Sequence, residues 1–210
     1  MGRSALSDLD PALGIIDFSS VATGIEAGDA MVKASPVGSL YAGSVHPGRY
    51  LVLVSGDTAS VEIAMDVGRH IGEDDVLGWV FLPDVHRTVA TAIAAGRTGA
   101  DIEEEALGII ETDTVSAVIR AADAGVKAAA VTLSAIEMAD GLGGKGYVLF
   151  SGPVAEVEAA VEAGADRASG DAALVRDVVM AQLHAEMRHN LVSELTFAGR
   201  VMLRPQERKA

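Results

Sequence analysis

The sequence predicts an α/β (α+β) protein made of two tandem ferredoxin-like domains, each with the element order β-α-β-β-α-β. Three observations lead to this prediction. The chain of 210 residues contains a long internal repeat. Short apolar runs recur at the length of buried strands. The segments between these runs either place apolar residues at helical spacing or contain the Gly and Pro residues of turns.

The internal repeat covers most of the chain. Residues 12–33 and 106–127 agree at 12 of 22 positions, at an offset of 94. The match resumes between 48–68 and 144–164, at an offset of 96, with 10 of 21 positions identical. The change of offset places a two-residue insertion in a loop of the second copy. A repeat of this length indicates a duplicated domain rather than a solenoid.

In the first copy, the run Leu13–Phe18 predicts a buried strand, and Ser19 or Ser20 predicts the cap of the next helix. That helix carries apolar residues at helical spacing, namely Val21, Ile25, Gly28 and Val32. The remaining elements are predicted as a strand over 37–45, a turn at 46–48, a strand over 50–54, a helix after Asp57, a strand over 76–82, and a helix from Pro83-Asp84 to about Ala95.

The second copy repeats this order. A strand over 107–111 precedes a helix capped by Thr114. The later elements are predicted as strands over 131–138, 147–150 and 174–180, with a flexible loop at 140–145 and a helix whose first turn contains Pro153. The predicted domains are therefore 12–95 and 106–200. They are joined by an acidic linker over 96–105, and a tail runs over 186–210.

Composition excludes several classes of function. The net charge of −14 argues against binding to a nucleic-acid backbone or to anionic lipid. The chain has no cysteine, which excludes disulfides, thiolate metal sites and iron–sulfur clusters. No apolar run approaches the length of a membrane span, and residues 1–10 lack the apolar core of a signal peptide. We therefore expect a cytoplasmic protein.

The residues show no catalytic or metal-binding constellation. The loop 141–146, Gly-Leu-Gly-Gly-Lys-Gly, offers backbone N–H groups to a phosphate, but it lacks the phosphate-loop spacing and leads into a strand. A ligand-free turn or a pore loop is the favoured interpretation. His184 and His189 are spaced poorly for a shared metal ion. We predict no catalytic residue, no metal and no cofactor.

The motifs of the two copies, taken in order, resemble the shell-protein domain of bacterial microcompartments, the BMC domain. In the second copy the similar segments are 106–111, 121–128, 141–144, 147–152 and 157–164. In the first copy they are 12–17, 27–34, 48–56 and 61–68, followed by Leu82-Pro83-Asp84-Val85-His86. Each motif alone is weak, but their order, found twice, is specific.

The resemblance implies the tandem class of this family, in which a homotrimer forms a pseudohexameric tile of the shell facet. It implies a central pore for metabolites. The implied pore-lining residues are Ser44, Val45, His46, Pro47 and Gly48 in the first copy, and Asp140, Gly141, Leu142, Gly143 and Gly144 in the second. It also implies tile-edge packing by Lys33 and Lys127. The matched residues His86 and His184, just past the fourth strand of each copy, are interpreted as subunit contacts.

The same resemblance implies the partners: other copies of the chain, single-domain hexamers, vertex pentamers, encapsulated enzymes and small metabolites. Arg49 and Lys145 follow the two pore loops at equivalent positions and add positive potential. His46 introduces a group that changes charge near neutral pH, which gives the hypothesis of pH-dependent permeability. The family's edge arginine is absent, since Asp84 and Gln182 occupy its positions.

Two other classes of function stay open from the residues. The first is an oligomeric ferredoxin-like regulatory protein that binds an anionic small-molecule effector at the Gly-rich loop. The second is an enzyme with its site between the two copies, against which the missing nucleophile and metal constellation count. Tight, saturable effector binding favours the regulator, because a conduit binds its solute weakly.

Overall fold

A computed structural model describes residues 11–95, 105–169 and 172–192 of the chain. Residues 96–104 of the linker and the part of the tail beyond residue 192 lie outside these residues. Each copy contributes four strands of similar length. The strands are β1 Ala12–Phe18, β2 Ser39–Val45, β3 Arg49–Gly56, β4 Val76–Leu82, β5 Ala106–Thr112, β6 Thr132–Met138, β7 Gly146–Gly152 and β8 Leu174–Met180.

Three helices accompany each set of strands. The helices are α1 Val21–Ala34, α2 Thr58–Gly72, α3 Arg87–Ala95, α4 Val115–Ala128, α5 Val154–Ser169 and α6 Ala185–Val192. Side chains cap the first helix of each copy, because Ser20 accepts the N–H of Thr23 and Thr114 accepts the N–H of Ala117. The capping residues predicted from the sequence are thus the ones that start these helices.

Each copy forms one four-stranded antiparallel sheet. The strand orders are β2-β3-β1-β4 and β6-β7-β5-β8, the arrangement of a ferredoxin-like fold. The registers are equivalent, because β1 pairs Ala12 with Gly56 while β5 pairs Ala106 with Gly152. The predicted α+β fold with two tandem copies is confirmed.

Two helices cover each sheet. In the first copy α1 and α2 pack on each other and on β1 and β3, and in the second α4 and α5 pack on each other and on β5 and β7. The apolar core of the second copy continues into the first through Val85 and Val89, which are buried among residues of β6 and α4. The two copies therefore share buried surface as well as a covalent linker.

Element bounds agree with the prediction most closely at the fourth strands, since β4 and β8 span the predicted residues. The predicted start of α3 at Pro83-Asp84 was wrong, because the helix begins at Arg87. The reason is local: the imidazole Nδ1 of His86 accepts the N–H of Thr88 at 3.4 Å, which occupies a first-turn donor. His184 plays the same part at α6, where it accepts the N–H of Glu186 at 3.2 Å.

The buried face of α1 differs from the stripe seen in the sequence. Gly28 is buried as part of a face with Gly24, Ala27 and Met31. By contrast, Val21, Ile25 and Val32 are exposed to solvent. A second apolar face on a helix of a folded domain indicates a surface that another element covers.

Candidate assembly interface and pore segments

The junction between the two copies begins at a buried carboxylate. Asp17 near the end of β1 is fully buried and accepts the N–H groups of Val115 and Ser116, each at 2.9 Å. These are first-turn donors of α4, which have no partner inside their own helix. Burial raises the pKa of Asp17, while the hydrogen bonds from Ser116 and Val115 and the charge of Arg49 act in the opposite direction.

Strand β4 brings its backbone against the start of α4. Gly78 pairs with Asp17 across the strands, and a Cβ added there lies 2.7 Å from the Ser116 hydroxyl oxygen. The absence of a side chain is therefore a condition for this close approach. Further along, the guanidinium of Arg120 donates to the carbonyl oxygen of Trp79. The junction thus pairs the edge strand of one copy with a helix of the other.

The outer end of the same junction contains two of the predicted packing residues. Lys127 donates to the carbonyl oxygen of Asp84 and pairs with Asp123 at 2.7 Å. The other Asp123 oxygen accepts the N–H of His86 at 2.8 Å. Lys33 forms the equivalent pair with Asp29 on α1, where both side chains are exposed. Lys127 and His86 therefore meet between the copies, and Lys33 and His184 lie at free surfaces.

The first predicted pore segment is a tight hairpin between β2 and β3. Its tip, His46-Pro47-Gly48, is exposed and closed by the hydrogen bond from the Gly48 N–H to the Val45 carbonyl at 2.9 Å. Gly48 has φ of 102°, which favours glycine. Ser44 at the end of β2 is exposed as well. The tip presents an imidazole, a proline ring and a bare backbone.

The second predicted pore segment, between β6 and β7, is folded on itself. The N–H groups of Leu142 and Gly144 both donate to the carbonyl of Ala139, and the N–H of Lys145 donates to Leu142. Asp140, Gly141 and Gly143 are exposed, whereas Gly144 is buried. Because these donors are already used inside the loop, the segment is a poor cradle for a phosphate. This geometry disfavours the anionic-effector hypothesis.

Arg49 brings the two segments together. It follows the β2–β3 hairpin and donates to the carbonyl oxygens of Asp113 at 2.7 Å and Gly144 at 3.2 Å. Its side chain is the reason that Gly144 is buried, since a Cβ there lies 2.6 Å from Arg49 Cδ. The counterpart Lys145 instead pairs with Glu111 of its own copy at 3.0 Å. The positive charges predicted near the loops are thus present, and one of them joins the copies.

Sequence reasoning missed Asp17, Gly78 and Arg120 as junction residues. Asp17 carried a usable signal, because it is the one charged residue in a seven-residue strand that is otherwise apolar and fully buried. Gly78 and Arg120 carried none, since their partners lie on the other copy. Among the described residues no group of three or more acidic or histidine side chains is placed to hold a metal ion. Within the same ranges, the helices are too short or too polar to cross a membrane.

The fold and its duplication define the class of protein: a tandem-domain protein of two BMC domains. The BMC domain model matches residues 12–85 and 106–183, so the chain belongs to the BMC domain family. The chain is similar to the bacterial microcompartment shell protein PduT of Citrobacter freundii, with 37% identity over 184 residues that cover 88% of this chain and 99% of PduT. A second relative, the carboxysome shell protein CcmK3 of Halothece sp., is 51% identical over 59 residues, 28% of this chain and 56% of CcmK3.

Solved structures agree. A microcompartment protein of Desulfitobacterium hafniense DCB is 40% identical, with a TM-score of 0.71 over 85% of this chain and 98% of its own. The fused permuted shell protein MSM0275 of the RMM microcompartment shares the fold, with a TM-score of 0.52 at 20% identity over 76% of this chain and 84% of its own. The molecule is therefore a structural, non-enzymatic shell protein of bacterial microcompartments with tandem BMC domains.

Proposed function

We propose that three copies of the chain close into a ring of six lobes, a pseudohexameric tile of the shell facet with a central pore for metabolites. Each chain contributes one first copy and one second copy. The contact between chains repeats the contact within a chain, with β8 of one chain against α1 of the next. Such a head-to-tail contact uses two different surfaces, and it generates a closed ring when the rotation permits.

The observation that carries this proposal is a difference between two equivalent helix faces. Ile119 on α4 is 0% exposed because β4 of the first copy covers it, whereas its counterpart Ile25 on α1 is 54% exposed. Val115 and Val21 differ in the same sense. Exposed apolar patches of this kind mark interfaces. The surface that fits the α1 face is the one that the chain already uses against α4, displayed again by β8.

A second pair of equivalent surfaces supports the same contact. Helix α3 packs on β6 of the second copy, where Val89 is 0% exposed and Ala135 is buried. The counterparts are Met187 on α6, which is 53% exposed, and Tyr41 on β2, which is also exposed. In the ring α6 of one chain lies on β2 of the next, so that both apolar side chains leave water. Each such burial is worth about 1.5–3 kcal/mol at full coverage.

The pore of the ring is lined by both predicted segments. Arg49 holds the 139–145 loop beside the β2–β3 hairpin within each chain, which supports a common position for them at the axis. The first copies contribute Ser44, Val45, His46, Pro47 and Gly48, and the second copies contribute Asp140, Gly141, Leu142, Gly143 and Gly144. Small and polar residues at an axis favour passage of small polar solutes.

The rim of the tile meets other shell proteins. Lys33, Lys127, His86 and His184 lie at the outer ends of the contacts between lobes, and we assign tile-edge packing to them. Their support is position and, for Lys33, also exposure, since its side chain is 72% exposed even in its pair with Asp29. Hexamers of single-domain relatives, vertex pentamers and enclosed enzymes are the partners proposed for such a tile.

Native mass measurement and electron microscopy of one sample test the ring. We expect three times the mass of the 21.5 kDa chain and a six-lobed plate with a central hole. Ile25→Glu is expected to give folded monomers, because it places a charge in the α1 contact. Ile63→Glu is the matched control, since Ile63 is 50% exposed on α2 away from that contact. A folded wild-type monomer or dimer without a hole contradicts the proposal.

A further inference from the structure

The position of Gly78 is occupied differently in the second copy. Gly78 pairs with Asp17 across β4 and β1, and Arg176 pairs with Glu111 across β8 and β5 in the equivalent register. Gly78 leaves room for the Ser116 and Thr114 hydroxyl groups at the start of α4. Arg176 is exposed and makes no ion pair within the ranges that the structure describes. The second copy therefore has a long, positively charged side chain, Arg176, at the position where the junction inside the chain requires a glycine, Gly78.

The helix that meets Arg176 in the proposed ring is adapted to it. The counterparts of Thr114 and Ser116 at the start of α1 are Ser20 and Ala22. Ala22 lacks the hydroxyl group that crowds Gly78, so α1 leaves space for the first carbon atoms of an arginine side chain. The two contacts thus differ at both of their facing positions. Inside the chain Gly78 faces Ser116, whereas in the proposed contact between chains Arg176 faces Ala22.

An acidic side chain, Asp75, lies at the start of helix α1. Asp75 accepts hydrogen bonds from the Thr23 hydroxyl at 2.6 Å and the Ser19 hydroxyl at 2.9 Å. Those donors lower the pKa of Asp75, so its carboxylate is charged at neutral pH. Within the part of the chain that the structure describes, no cation pairs with it. Its counterpart in the second copy is Ala173, so the acid exists in one copy and the arginine in the other.

We infer that Arg176 of one chain forms an ion pair with Asp75 of the next chain, and that this pair fixes the head-to-tail order of the ring. The inference rests on the proposed ring. The pair can form only between chains, because the junction inside a chain has Gly78 and Ala173 at the two positions. It thereby distinguishes the contact between chains from the contact within one.

A neighbouring acidic residue favours a cation at this contact. Glu26 on α1 is the counterpart of Arg120 on α4, and it brings a negative charge to the same contact. Glu111, beside Arg176, is already paired with Lys145 at 3.0 Å. Arg176 is therefore the cation of β8 that is available to offset the acidic start of α1. Like charges without such a partner weaken an interface and suppress wrong pairings.

Charge reversal and charge exchange test the pair. Sedimentation velocity over a dilution series measures the trimer association constant for wild type, Arg176→Glu, Asp75→Lys and the double variant. We expect each single reversal to weaken each of three contacts by about tenfold, and so the trimer constant by about a thousandfold. The double variant is expected to recover most of this loss. Asp74→Lys and Arg87→Glu serve as controls of equal charge change.

The outcomes separate the inference from the proposed ring. A wild-type chain that is not a trimer overturns the ring and the pair together. A wild-type trimer that tolerates both single reversals, or whose double variant shows no recovery, overturns the pair and leaves the ring intact. Circular dichroism confirms folding of each variant, and Asp75→Asn separates the loss of charge from the loss of the Ser19 and Thr23 hydrogen bonds.

Discussion

The carboxylate of Asp17 and the backbone N–H of Val115 form a buried hydrogen bond of 2.9 Å that joins the two BMC domains of one chain. A second oxygen of the same group accepts the N–H of Ser116. The first domain thereby supplies, from a sheet, the hydrogen-bond acceptors that the start of a helix in the second domain lacks. The relative placement of the two domains is specified by a directional contact as well as by apolar packing.

Asp17→Ala is expected to destabilise the chain by about 3 kcal/mol, because it leaves two buried N–H groups without acceptors. Asp17→Asn is the control of equal size, and its amide oxygen still accepts one of the two hydrogen bonds. Urea unfolding of both variants measures the effect. Equal stability of wild type and Asp17→Ala contradicts the role given to this carboxylate.

The difference in stability between wild type and Asp17→Asn is expected to change with pH in a defined direction. The pKa of Asp17 is raised by burial above its ordinary value of 3.8, so the folded state binds a proton more readily than the unfolded state. Its contribution to stability is fully present below pH 3.8 and is lost as the pH rises through the folded value. The free-energy difference between wild type and Asp17→Asn is therefore expected to shrink from pH 4 to pH 7. A difference that grows over this range contradicts the assignment.

Gly78→Ala is expected to cost about 1–3 kcal/mol, because the added methyl group overlaps the Ser116 hydroxyl. The double variant Gly78→Ala with Ser116→Ala removes the nearest clash and is expected to recover part of the loss. Gly43→Ala on the edge strand β2 is the control, since a Cβ at that position meets no atom within 4 Å. Thermal unfolding of the three variants measures these differences.

Arg49→Ala is expected to loosen the second pore segment. It removes the guanidinium nitrogen Nη1, which donates to both the Asp113 and the Gly144 carbonyl oxygens. Hydrogen exchange at the N–H groups of Leu142, Gly144 and Lys145 is expected to rise about tenfold, while exchange in the helix α2 stays unchanged. Arg49→Lys keeps the charge but lacks the planar guanidinium group, and it is expected to give an intermediate rate. Unchanged exchange in the loop contradicts the positioning role of Arg49.

Glu26→Arg is expected to strengthen the trimer several-fold. It gives α1 an arginine at the position where Arg120 of α4 donates to the Trp79 carbonyl oxygen of β4, and it removes a negative charge from the proposed contact between chains. Glu62→Arg makes the same change of charge on the exposed side of α2 and is the control. Sedimentation at several ionic strengths measures both variants, and an equal effect of the two contradicts the specific contact.

His46→Ala is expected to reduce the pH dependence of solute passage through the pore. In the proposed ring three exposed His46 side chains lie at the axis, where protonated imidazoles favour anions over cations. The rate at which small anions and cations cross reconstituted shells between pH 5.5 and 7.5 measures the effect. Permeability and pH dependence that match wild type contradict the hypothesis, and the variant Asp140→Asn shows whether the other loop compensates.

The sequence predicted the elements well wherever the determinants lie within one domain. The caps Ser20 and Thr114 and the strands β4 and β8 follow from local patterns of polar and apolar residues. The start of α3 was not predicted from such a pattern, because its capping group is the imidazole of His86, and histidine is outside the usual set of helix-capping residues.

The contacts between the two domains could not be predicted from the sequence. The apolar stripe Val21, Ile25 and Val32 predicts a helix, but its periodicity contains no information on which surface covers it. Gly78 and Arg120 form their contacts with residues 38 and 41 positions away, and neither belongs to a recognisable motif. The pore segments and the packing lysines follow from the family resemblance and stay predictions, while the chemistry that joins the copies became visible only in three dimensions.

The duplication within one chain alters how the tile responds to dilution. In a ring of six lobes, three of the six contacts form inside chains, at an effective concentration that a linker sets and that dilution leaves unchanged. Closure of such a ring therefore requires three chains to meet instead of six separate domains. The concentration of closed rings then depends on the third power of the free-chain concentration rather than on the sixth. In the proposed ring the two kinds of lobe also alternate without any sorting step, so that its pore would receive three hairpins that carry His46 and three loops that carry Asp140.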